Sequence, residues 1–106
     1  MFDITLVTRY VTRMIQSVRD KRVAVLLAGE RPKRFPADLA VRARLMLDRL
    51  GAAQRLDDLR VPPGNRLEAL VGDRAGQHSI RVNDQWRVCF VWRDGHSYDV
   101  EIVDYH

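Results

Sequence analysis

Cysteine is nearly absent: Cys89 stands alone among 106 residues. It cannot form an internal disulfide, and a cysteine-based metal centre would lack its other ligands. A disulfide-stapled secreted miniprotein and a zinc ribbon are both excluded. Lysine is scarce too, with Lys21 and Lys33 the only two among eighteen basic residues, so sixteen are arginines. Long apolar runs are missing. The longest strongly apolar one, Val23 to Ala28, falls far short of the roughly 20 residues that span a bilayer. The first residues, broken by Asp3, Arg9 and Arg13, lack the clean apolar stretch of a secretory signal. These absences predict a soluble, cytoplasmic protein. There is no internal repeat, low-complexity segment, Walker loop or dinucleotide fingerprint.

What is present is an ordinary globular balance, 46% hydrophobic and 30% charged, with a net charge of +4. A chain of this length supports one core rather than two. Arginine carries a planar fork that matches phosphate and carboxylate, so an arginine-dominated basic domain points first to nucleic acid.

The chain divides into a helical half and a strand half. Between residues 4 and 18, β-branched residues compete with helical spacing; Ile15 to Val18 is read as a strand and residues 1 to 13 stay unassigned. From Asp20, a good N-cap, the stripe Val23, Leu26 and Leu27 predicts a helix stopped by Gly29. Glu30 to Arg34 is a basic loop. A longer helix follows, with Pro36 in its first turn, Asp38 near its positive end and Gly51 at its close. Its apolar face is Leu39, Ala43, Met46, Leu47 and Leu50, with Arg42, Arg44 and Arg49 lying off it.

After Pro62-Pro63-Gly64 the period becomes two. Residues 66 to 71 and 77 to 83 read as strands about a turn at Gly72 to Gly76. In Gln85 to Arg93, Trp86, Val88, Phe90 and Trp92 point one way and Arg87, Cys89, Val91 and Arg93 the other. Asp94-Gly95 marks a hairpin, and Ser97 to Asp104 returns. Helices followed by an antiparallel meander predict an α+β domain.

Several groups could carry chemistry, and each has a plainer reading. Asp104, Tyr105 and His106 offer a carboxylate, a phenol and an imidazole for proton transfer, or form a solvated terminus. Arg87, with Arg81 across a short hairpin, could hold a phosphate, or both could be ordinary strand-face arginines. Arg31, Lys33 and Arg34 could contact a nucleic-acid backbone, or be a solvated loop. Cys89 reads as an inert buried thiol, Trp86 as core. His78 and His96 lack ligand spacing, so no metal site is expected.

The strand half resembles HigB-like toxins of the RelE/ParE superfamily, the toxin halves of bacterial toxin–antitoxin pairs. The residues that carry the likeness are Leu70-x-Gly72-Asp73, Gly76, Ser79-Ile80-Arg81-Val82-Asn83, Trp86-Arg87-Val88-x-Phe90 and Asp104-Tyr105-His106. Upstream it continues through Arg34-Phe35-Pro36 and Leu59 to Gly64, covering about residues 14 to 106. Met14-Ile15-Gln16-Ser17 matches the usual start of such proteins, so residues 1 to 13 are expected to be an extension on a single domain, 14 to 106.

The resemblance implies a RelE-like α+β fold, two N-terminal helices packed on an antiparallel sheet of about four to five strands. It implies ribosome-dependent mRNA cleavage in the A site, needing no cofactor and no metal. The implied partner is a HigA-like helix-turn-helix antitoxin, through which alone operator DNA would be reached; no membrane is involved. Asp104, Tyr105, His106 and Arg87 match the family's catalytic positions. Glu68 stands where a histidine is usual and Val71 where a lysine is, which leaves Glu68 or Asp104 as the expected general base. Arg81, Arg31, Lys33 and Arg34 are the expected RNA contacts. Other outcomes remain within the superfamily: a ParE-like, non-enzymatic gyrase inhibitor, or a degenerate toxin that only binds its antitoxin.

Overall fold

The computed structural model describes residues 15–105; the expected extension and His106 lie outside the described residues. Two helices, α1 (Lys21–Leu27) and α2 (Ala37–Ala52), precede four strands, β1 (Glu68–Ala69), β2 (His78–Arg81), β3 (Trp86–Arg93) and β4 (His96–Asp104). The strands form one antiparallel sheet in the order β1-β2-β3-β4. This is the expected α+β arrangement. None of the helices among the described residues is long and apolar enough to cross a membrane.

Both helices bury their apolar stripes against one face of the sheet. Val23 and Leu26 from α1 and Ala43, Met46, Leu47 and Leu50 from α2 join Ile80, Val88, Phe90, Val100 and Ile102 in a single core. Asp20 caps α1 by accepting from the Arg22 N–H at 2.9 Å, and its other oxygen accepts from the Ile102 N–H of β4 at 3.2 Å. One carboxylate thus fixes both the helix start and its attachment to the sheet. Asp20→Ala is expected to cost about 1–2 kcal/mol of stability, measured by denaturant unfolding.

Several boundaries differ from the sequence reading. Gly51 does not end α2 but lies buried within it. The expected strand over 66 to 71 shrinks to Glu68–Ala69, because Arg66 takes a left-handed conformation (φ 48°) and a tight turn begins at Gly72 (φ 64°). The Ile15 to Val18 segment meets β4 only through two isolated parallel bridges, Ile15 to Ser97 and Val18 to Val100. The reason lies in β4. Val91 pairs with Tyr98 but Cys89 with Glu101, so β4 carries one extra residue, a bulge at left-handed Asp99. The Asp99 N–H donates to the Ser17 hydroxyl at 3.0 Å instead of to the ladder. The Asp94-Gly95 turn is as expected, with both residues at positive φ (53° and 80°), the conformation a tight two-residue hairpin requires.

Candidate active site on the open sheet face

Register decides which side chains share the face away from the helices. Arg87 sits opposite Arg81, Ser79 opposite both Glu68 and Cys89, and Cys89 opposite Glu101. Alternation from Glu101 through Val103 brings Tyr105 to the same side.

Arg87 is the centre of this face, and it is 92% buried. Its Nε donates to the Ser79 hydroxyl at 2.7 Å, and its Nη2 donates to the Arg66 carbonyl and pairs with the Glu68 carboxylate at 3.1 Å. The Arg66 carbonyl is aimed by its neighbour. Asn65, almost fully buried, donates to the Leu59 and Val61 carbonyls and accepts from Arg49 of α2, which turns the chain sharply at Arg66. Arg87 is therefore built into the structure, not laid on a bare strand face as its alternation suggested.

Glu68 and Tyr105 line a depression of about 220 Å³, with Ala69, Leu70, Val71 and Arg74 completing the wall. Burial, followed by the neighbouring Cys89, pushes the Tyr105 phenol above its usual range. At neutral pH it is a proton and hydrogen-bond donor, not a base. Cys89 is fully buried beneath it, and burial raises the thiol as well, so the inert reading of Cys89 agrees with its surroundings. Arg81 is committed to Asp84 at 2.6 Å, an ion pair that holds the Asp84 carboxyl below its ordinary value. Each of the two cross-strand arginines thus has its own carboxylate, which relieves their mutual repulsion.

The structure does not bring every expected residue together. Asp104 lies opposite Trp86, on the helix side of the sheet, and its Oδ2 accepts from the Gln85 amide at 3.1 Å. It therefore leaves β4 on the face away from Arg87, while Tyr105 faces the site. Arg31, Lys33 and Arg34 are exposed in the loop between the helices, and the first two line a 520 Å³ recess with Lys21 and Arg22. That recess belongs to the helix layer. His78 stacks on Phe90, and burial lowers its imidazole pKa.

Sequence reasoning missed Ser79, Glu101 and Arg74. Arg74 donates from Nη1 to the Gln77 amide oxygen and to Glu101, both at 3.0 Å. The alternation Glu101, Val103, Tyr105 was a signal for Glu101, though only relative to its bulge.

Comparison with known proteins agrees with this architecture. A family model described as the RelE-like toxin of the type II toxin–antitoxin system HigB matches residues 16–106. The chain belongs to the HigB-like toxin family. It is 31% identical over 97 residues to the Endoribonuclease HigB of Proteus vulgaris, a match covering 88% of this chain and 100% of that protein. A stretch of 49 residues is 57% identical to Toxin HigB-1 of Vibrio cholerae, 46% of this chain and 52% of that toxin. The chain thus spans about half the length of that relative. An uncharacterized protein of Haemophilus influenzae is 32% identical over 81 residues, 68% of this chain and 80% of its own length.

Proposed function

We propose that this HigB-like toxin is a ribosome-dependent mRNA endonuclease that stops translation. The observation that carries the reading is the convergence of Glu68, Arg87 and Tyr105 on one sheet face beside a depression open to solvent. The 2′-hydroxyl of the nucleotide before the scissile bond attacks the phosphorus, forming a 2′-O–P bond and breaking the P–O5′ bond. The products are a cyclic phosphate and a free 5′-hydroxyl. Glu68 takes the proton from the attacking hydroxyl, and His106 gives one to the leaving oxygen. Arg87 stabilises the charge that builds on the phosphate, and Tyr105 donates a hydrogen bond to the substrate. Asp104 is a poorer base than Glu68 because it sits on the other side of the sheet from Arg87.

The depression is shallow, so the ribosomal A site supplies most of the substrate's orientation, a large part of the barrier in any such reaction. A HigA-like helix-turn-helix antitoxin neutralises the toxin and carries it to operator DNA. Arg31, Lys33 and Arg34 provide a separate basic surface for RNA. The toxin domain is residues 14 to 106, and it works in the cytoplasm.

Induced expression with mapping of message 5′ ends tests the reading. Cuts in translated messages, in frame with codons, are expected. DNA damage without such cuts would mean a gyrase inhibitor, and undisturbed growth a degenerate toxin. Within the nuclease reading, Glu68→Gln is expected to reduce the single-turnover cleavage rate by about 10²-fold or more, as loss of a general base does. The substitution keeps the side chain's shape but removes the carboxylate paired with buried Arg87, so a fall in melting temperature should accompany the loss of rate. A rate equal to the parent's would remove Glu68 from proton transfer.

A further inference from the structure

We propose that Arg74 is a second phosphate-contacting residue of this site, seating the message backbone in the depression beside Tyr105. The proposal rests on the nuclease reading above and adds to it a residue that neither composition nor strand pattern pointed to.

The argument is electrostatic. Among the described residues lining the depression, Glu68 contributes an anion, Ala69, Leu70 and Val71 contribute aliphatic surface, and Tyr105 a neutral phenol. A phosphodiester entering such a recess would lose hydration and meet a carboxylate. Arg74 is the lining residue whose charge offsets that carboxylate. Its side chain is one-third exposed, so it reaches solvent while tied to Glu101.

Arg74 is also oriented. Glu101, mostly buried on β4, and Gln77 both accept from Nη1, which leaves Nε and Nη2 without a hydrogen-bond partner among the described residues. Glu101 itself lies 3.9 Å from Arg19, so its charge is shared between two arginines and does not cancel Arg74 alone. A guanidinium held along one edge with its other donors open is suited to grip a phosphate. The hydrogen bond to Glu101, followed by the opposing cost of burial, leaves the group more firmly protonated than usual. Arg74 and Tyr105 line the same depression, so the cation faces the space beside the phenol.

Arg74 lines the depression from the turn after β1, and Arg87 of β3 is joined to it through the pair with Glu68, so two cations from different elements serve one site. One would stabilise the reacting phosphate and the other would hold the strand in line.

The test uses the full chain with ribosomes carrying a translated message, at saturating toxin. Arg74→Met keeps the aliphatic stem and removes the charge. Its single-turnover rate is expected to fall about 10²-fold, the scale of losing one preorganised donor. Arg74→Lys, which keeps a cation on Glu101, should stay within about tenfold of the parent. The decisive variant moves the charge. Val71 lines the same depression and is 84% exposed, so Val71→Lys added to Arg74→Met should restore at least about tenfold of the lost rate. Melting temperatures and antitoxin binding report folding in parallel. Three results would each overturn the proposal: Arg74→Met within about threefold of the parent, Arg74→Lys as slow as Arg74→Met, or no recovery with lysine at 71. A parent protein that cuts no message overturns the nuclease reading instead.

Discussion

Arg87→Ala is expected to abolish message cleavage and to destabilise the protein at the same time. The loss of a charge aimed at a transferring phosphate lowers the rate by about 10²–10³-fold or more. The stability cost follows from burial. With the guanidinium gone, the buried Ser79 hydroxyl and the Arg66 carbonyl lose their donor, which costs about 1–3 kcal/mol for such groups. An ordinary strand-face arginine, the plainer reading of the alternation, would carry no such stability cost. Arg87→Lys separates the two effects. It keeps the positive charge near Glu68 but cannot reproduce the three directed hydrogen bonds of the fork. Denaturant unfolding alongside single-turnover cleavage checks both, and an Arg87→Ala protein with parental cleavage would remove Arg87 from the reaction.

Removal of Tyr105 and His106 is expected to eliminate cleavage, by about 10²–10⁴-fold, while antitoxin binding survives. An unperturbed imidazole titrates near pH 6.5, so a histidine can hold or release a proton at neutral pH. The end of β4 is anchored and not frayed, since the Tyr105 N–H donates to the Gln85 carbonyl at 2.5 Å and its phenol covers Cys89. Deletion therefore uncovers the thiol, and some loss of melting temperature should accompany the loss of activity. Tyr105→Phe keeps that cover and removes the donor alone. Cleavage of a translated message at the parent's rate by the shortened chain would exclude both residues from the chemistry.

What could be read in the sequence was local. The α1 cap at Asp20, the stripe of α2, the Asp94-Gly95 turn and the period of two along β3 each depend on residues a few positions apart, and each is present in the structure. Family likeness supplied the fold and pointed to Arg87 and the last three residues. The remainder depends on contacts between distant parts of the chain. Arg66 turns because Asn65 is held by Arg49, sixteen residues earlier, and this shortens the strand expected over 66 to 71. Arg74 meets Glu101 across twenty-seven residues. No spacing rule connects such pairs. The helical residues that line the basic recess with Arg31 and Lys33 were hidden for the same reason.

The extra residue at Asp99 works as a parity switch for the chain's end. Suppose the same residues, Asp99 included, ran from the hairpin as a regular ladder with no bulge, keeping Val91 opposite Tyr98. Every later position would then change sides, because a one-residue shift exchanges the two faces of a strand. Asp104 would arrive beside Arg87, and Tyr105 would turn toward Trp86 and the helices. A single bulge, several positions away, selects which of two neighbouring proton-bearing side chains shares the face of Arg87. Deleting Asp99 would leave a regular ladder in which Val103 still meets Arg87 and Asp104 still meets Trp86, so the bulge absorbs one residue and keeps Tyr105 on the face of the site.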